Sequence, residues 1–306
     1  SDGNANYSLK GAEYGIYQGD KLIQKLTTDE NGYAKSGELE EGDYTLKELS
    51  ASKGYIVDTN AHKVTVKAEQ TSTAKVTEIP QNNPMDLVLE KLDAETKAAS
   101  PQDGASLANA EFTVKFYTEQ SDTDPAESGK KPARTWVLKT DASGKMHFTK
   151  DYFVSGDAFY YTSDGKTVCL PLGTVTVQES KAPAGYQLNP TVFVQKIEVE
   201  GDQETISVYQ SSTVEESVIR GGVKIQKRDI ETGEAKPQGS GTLEGAVFTI
   251  TTLNDNPVLV DGKSYTKDQV VLTLTTDKSG IAATANDTLP FGHYRVCLLY
   301  TSDAAD

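Results

Sequence analysis

The residues best placed to do chemistry are charged side chains that a strand's period turns inward. In residues 173–186, Val175 and Val177 alternate with Thr174 and Thr176, the period-2 pattern of a half-buried strand, and the same alternation puts Glu179 on the valine side. In residues 42–55, Tyr44 and Leu46 are in phase, and Glu48 falls on their side. Lys91 is in phase with Leu87 and Leu89, and Lys227 with Val223 and Ile225. A charge facing a core is costly unless it is paired or neutralised. An inward Lys and an inward Glu therefore call for each other.

The elements that carry these residues recur three times in one order. Gly11-Ala12-Glu13-Tyr14, Asn109-Ala110-Glu111-Phe112 and Gly245-Ala246-Val247-Phe248 each open a strand. Thr28-Asp29 with Gly32, Thr140-Asp141 with Gly144, and Thr276-Asp277 with Gly280 each mark a turn. Leu39 to Tyr44, Leu170 to Val175 and Leu289 to Tyr294 each lead into a further strand. Thr, Val, Tyr and Gly abound and long helical periodicity is absent, so the sequence predicts an all-β chain of tandem sandwiches. Boundaries follow at 1–83, 84–218 and 219–296, set by the run 80–84 and by Gly221-Gly222. The first copy has no lysine strand. The middle copy carries two inserts: residues 118–132, polar and expected to be an exposed loop, and residues 150–166, rich in aromatic side chains.

Composition removes several functions. The net charge is −15, from 30 basic and 45 acidic residues, which argues against nucleic acid and anionic lipid as partners. No run of about 18 apolar residues is present to span a membrane. Two cysteines, Cys169 and Cys297, exclude a disulfide framework. His62, His147 and His293 fall in different copies without metal-ligand spacing, and Asp122-Thr123-Asp124 is short of a calcium loop. No nucleophile elbow, P-loop or dinucleotide fingerprint occurs. The expectation is a non-enzyme without cofactor or metal.

The motif order (lysine strand, Gly-Ala-x-Phe, Thr-Asp-x-x-Gly, Leu-Pro-x-Gly-x-Tyr, Glu-x-x-x-Pro-x-Gly-Tyr) resembles the Cna B-type, or SpaA-like, prealbumin-fold domains of Gram-positive surface adhesins and pilins. The resemblance implies Ig-like sandwiches in a rod on the cell exterior, joined by sortase to peptidoglycan through a region outside this sequence. It also implies a core in which an inward Lys attacks an Asn on the last strand, assisted by a buried acid. Such a cross-link would add roughly 4–5 kcal/mol by loop closure. Here the middle copy supplies Lys91 and Glu179, and Gln210, in phase with Ile206 and Val208, stands at the expected acceptor position. The first copy supplies Glu48 and Glu78; the third supplies Lys227. No copy has the Asn, so the expectation is an ion-paired cluster without a covalent bond.

Two further readings concern function and the chain's end. Tyr152, Phe153, Phe159, Tyr160 and Tyr161 in the second insert are a candidate contact surface for a host or matrix protein or glycan. If these rings are exposed the chain is a ligand-binding module; burial in an extra hairpin at the tip of the domain favours a structural stalk, and a third reading is a set of repeats appended to a larger extracellular enzyme. Residues 297–306 read CLLYTSDAAD, which resembles the translation of a sequencing-library adapter. The expectation is that they pack poorly and join no sheet.

Overall fold

The computed structural model describes residues 3–102 and 104–299. Among these the regular structure is strand, apart from two short 3-10 turns at Pro125–Ser128 and Lys150–Tyr152. The threefold motif order becomes a threefold sheet. Each time, the strand opened by the Gly-Ala or Asn-Ala motif is central, and the strand led in by the Leu-Pro-type motif pairs antiparallel with it. These pairs are Glu13–Gln18 with Gly42–Ser50, Glu111–Tyr117 with Gly173–Lys181, and Val247–Thr252 with Tyr294–Leu299.

The first domain has a four-stranded sheet in the order Lys21–Thr27, Glu13–Gln18, Gly42–Ser50, His62–Val66. Tyr55–Ile56 and Ile79–Pro80 form a separate pair. The middle domain has a five-stranded sheet in the order Phe153–Gly156, Arg134–Lys139, Glu111–Tyr117, Gly173–Lys181, Val192–Ile197. A three-stranded sheet, Lys145–His147, Leu87–Asp93, Ser212–Glu216, shares its core. In the third domain Val270–Thr275, Val247–Thr252 and Tyr294–Leu299 form the main sheet, and Lys224–Gln226 pairs with Ile281–Ala283.

The middle core is the largest. Trp136, Phe112, Phe116, Phe148, Leu138 and Leu170 are fully buried in it. The Trp136 ring meets Phe148 edge-on at 5.0 Å and stacks on Phe159 at 6.2 Å, the offset and edge geometries that the ring quadrupole favours. Gly173 begins the Glu179 strand at φ +156°, and a Cβ there would lie 2.2 Å from the Tyr117 carbonyl oxygen. Only glycine lets the two backbones approach so closely.

The expectation of an exposed loop at 118–132 holds, with its start tied to the Glu179 strand: the Glu119 carbonyl accepts from the Thr174 hydroxyl at 2.8 Å, which accepts from Ser121 N at 2.9 Å. Several other sequence expectations need correction. Asn82–Pro84 pairs with Val168–Pro171 of the middle domain. Of the five insert aromatics, Phe159 is buried, and Tyr152, Phe153 and Tyr160 pack on the core; Tyr161 alone is exposed. The aromatic pairs at 152–153 and 159–160 add an extra layer to the core. Finally, Cys297, Leu298 and Leu299 do join a sheet, opposite Thr249, Phe248 and Val247. Backbone pairing continues there whatever the side chains, and Leu298 meets an apolar Phe248. Residues 300–306 lie outside the described residues.

Replacing Trp136 by Ala should therefore cost about 3–5 kcal/mol in the middle domain's denaturant-unfolding transition. Tyr161→Ala should stay within about 0.5 kcal/mol of the parent. A loss for Tyr161→Ala as large as that for Trp136→Ala would contradict the placement of Tyr161 outside the core.

Candidate functional site: a buried lysine between two glutamates

Lys91 stands on the strand Leu87–Asp93 with no exposed surface. Its Nζ donates to Glu179 Oε1 across the sandwich and lies 2.8 Å from Glu216 Oε1 on the neighbouring strand. The second contact is an ion pair by distance, but its direction leaves both Glu216 oxygens without a hydrogen-bond donor. The ammonium is also 5.0 Å from the centre of the Phe112 ring, which sits directly opposite Glu179 in the ladder. Glu179 Oε2 accepts from Asn189 N at 2.7 Å, which fixes the carboxylate in place.

The strands explain this convergence. Ser212–Glu216 runs parallel to Leu87–Asp93, with Val214 opposite Lys91 and Glu216 opposite Asp93. Two residues along a strand restores the same face, so Glu216 projects beside Lys91. Gln210 does not take part, contrary to the sequence expectation; it is exposed, and its backbone pairs with the side chain of Gln195. Residues 206–210 alternate like a strand, but Asn83 Oδ1 accepts from Val208 N and Tyr209 N, so a side chain replaces the ladder. Glu216 went unseen because only Val214 and Val218 mark its short strand in a polar run.

The first domain holds a variant of the same site. Glu48 sits opposite Tyr14, as Glu179 sits opposite Phe112, and Glu48 Oε2 accepts from Asp58 N at 2.5 Å. The Tyr14 hydroxyl donates to Glu78 Oε1 at 2.7 Å, taking the donor role that Lys91 plays in the middle domain. Burial raises the Glu48 carboxyl above its usual range, and the nearby Glu78 adds to this. The third domain departs again: Leu298 stands opposite Phe248, where the other two domains have glutamate. Lys227 there is half-buried.

Elsewhere the described residues offer little for catalysis. No group of His, Cys, Asp and Glu among them has metal-binding geometry. Burial pushes the Cys169 thiol up to about 12, which leaves it a poor nucleophile. His62 pairs with Asp58 at 2.7 Å and His147 with Asp86 at 2.8 Å.

Burial pushes the Glu216 carboxyl up to about 7, against the pull of the adjacent Lys91 and with the push of Glu179. A carboxyl whose folded pKa exceeds its unfolded value binds an extra proton in the native state, so its stabilising effect is complete at low pH and is lost as pH rises through the folded value. Stability should fall between about pH 4.5 and pH 7 relative to Glu216→Gln, by at most about 1.4 kcal/mol per pH unit. Denaturant titrations of both proteins across that range check the sign.

A sequence profile described as "SpaA: Prealbumin-like fold domain" matches residues 1–80 and 87–213, more than half of the chain. A 58-residue stretch is 45% identical to the trypsin-resistant surface T6 protein of Streptococcus pyogenes serotype M6, covering 19% of this chain and 11% of that protein. The solved structure of the Bacillus anthracis TIE protein superimposes with a TM-score of 0.59 at 25% identity, over 97% of this chain and 43% of that one. The chain thus spans about a tenth of the one relative and under half of the other. The repeated sheet, the inward glutamates and the profile match lead to one assignment: the chain belongs to the SpaA prealbumin-like fold domain family.

Proposed function

We propose that this chain is a non-catalytic, load-bearing stalk segment of a Gram-positive cell-surface protein, built from three tandem domains that meet near Gln81 and near Ile219, the third reaching at least to Leu299. The observation that carries this reading is the placement of Lys91. The first and last strands of the middle domain are parallel neighbours, and Lys91 pins them to each other and to the opposite sheet. Tension applied to the two ends of the domain shears that pair along its length, loading its ladder and its ion pairs together. The streptococcal T6 protein is a surface protein by name, which supports an extracellular location. Attachment by sortase to peptidoglycan, through a region beyond this sequence, is the anchoring mode that goes with it. A contact role for the aromatic insert loses support, because four of its five rings pack inward.

The clamp acts without a covalent bond. Glu216, rather than the expected Gln210, stands beside Lys91, and Glu78 stands at the acceptor position expected in the first copy; the family resemblance implies asparagine at that place. An ammonium held between two carboxyl groups has no lone pair with which to attack. The pair is still costly to break, because removing one partner leaves a buried charge alone.

Single-molecule pulling of the chain by its ends should show Lys91→Met lowering the unfolding force of the middle domain, with the other two domains unchanged. An unchanged force would contradict the clamp. Glu216→Asn restores the residue type of the family pattern, and its intact mass should fall short by one ammonia, a deficit that Lys91→Ala abolishes.

A further inference from the structure

The two joints between domains are built alike. At the first, Leu172 N donates to the Tyr7 hydroxyl at 2.8 Å, and that hydroxyl donates to the Gln81 carbonyl at 2.6 Å. At the second, Phe291 N donates directly to the Ile219 carbonyl at 2.8 Å. Gln81 N and Ile219 N in turn donate to the carbonyls of Gly54 and Gly185, which stand at matching places in the repeat.

The second joint has a polar socket as well. Asp93 Oδ1 accepts from Glu95 N and Thr96 N, both at 2.9 Å, which curls the chain after the lysine strand. Gln102 Nε2 donates to Asp93 and, at 2.8 Å, to Glu95 Oε2. The third domain fills what this leaves open. Arg220 forks onto Glu95, with Nη2 at 2.7 Å from Oε2 and Nε at 3.2 Å from Oε1. Leu259 N donates to Gln102 Oε1 at 3.0 Å. A guanidinium fork on a carboxylate fixes orientation as well as distance.

The third domain repeats the socket at its own outer end. Asp229 Oδ1 accepts from Glu231 N and Thr232 N, both at 3.0 Å, and Asp229 N donates to the Glu234 carbonyl as Asp93 N does to that of Ala98. Gln238 Nε2 donates to Asp229 Oδ1 at 2.7 Å and to Glu231 Oε2 at 3.1 Å. The acceptors that hold Arg220 and Leu259 at the inner joint are here exposed, and Ile230 beside them is 98% exposed.

We infer that Asp229, Glu231 and Gln238 form a docking socket for a further β-sandwich domain whose lead-in segment carries an arginine. The occupant presents a guanidinium to Glu231 and a backbone amide to Gln238 Oε1, as Arg220 and Leu259 do to Glu95 and Gln102. This deepens the stalk reading: the segment is extended end to end by a rigid joint rather than a loose tether.

The test uses the full chain and the peptide acetyl-Val-Ile-Arg-Gly-Gly-amide, which is the chain's own residues 218–222. At millimolar peptide, the Gln238 side-chain amide signals in a nitrogen-15 NMR spectrum should shift saturably. The already filled Gln102 signals should not move. The shift should vanish in Glu231→Gln, and it should weaken when lysine replaces the peptide's arginine, since lysine keeps the charge but loses the fork. No saturable shift, or the same shift with the lysine peptide or in Glu231→Gln, overturns the socket. Either failure leaves the pulling result on Lys91 standing, so the two claims separate.

Discussion

A lysine with no exposed surface needs counter-charge, and that need organises the middle domain. Lys91 takes one carboxylate from across the sandwich and one from the strand beside it. To supply Glu216, the last strand must run parallel to the first, with Val214 opposite Lys91. To supply Glu179, the strand that begins at Gly173 must pass directly beside Phe112. Two carboxylates around one ammonium leave an excess negative charge, and burial together with Glu179 raises the Glu216 carboxyl above its usual range. Buried ion pairs add little net stability over a well-packed apolar core, but they punish every arrangement that separates them. That penalty suits an element whose first and last strands must not slide apart.

The other two domains show what happens when one partner is missing, the lysine in the first and the glutamate in the third. In the first, Tyr14 replaces Phe112 in the ladder and sends its hydroxyl to Glu78, so a neutral donor stands in for the cation. One oxygen each of Glu48 and Glu78 stays buried without a partner. In the third, leucine occupies the glutamate position opposite Phe248, and the strand still pairs. The sheet therefore does not depend on the charges; the charges depend on the sheet.

Period-2 alternation made Lys91, Glu179 and Glu48 legible as inward residues, because each shares its phase with apolar neighbours on a true strand. The repeat of motifs made the central sheet of every domain legible. Gln210 was misread because residues 206–210 imitate a strand whose ladder is in fact supplied by the Asn83 side chain. The buried fate of Phe159 and its neighbours was not legible either. Whether an aromatic insert faces solvent or adds a core layer depends on Trp136 and Phe148, which lie outside it and meet it only in the fold. The joints were hidden for a similar reason: Gln102, Arg220 and Leu259 look like ordinary surface residues until the fold brings them together.

The central claim is that glutamate at the acceptor position keeps the Lys91 cluster ionic. Intact-mass spectrometry of the denatured wild-type chain tests it most directly. The account predicts the full mass of the 306-residue sequence. A mass short by one water, restored by Lys91→Ala, would mean that Lys91 and Glu216 have condensed to an amide, and would contradict it.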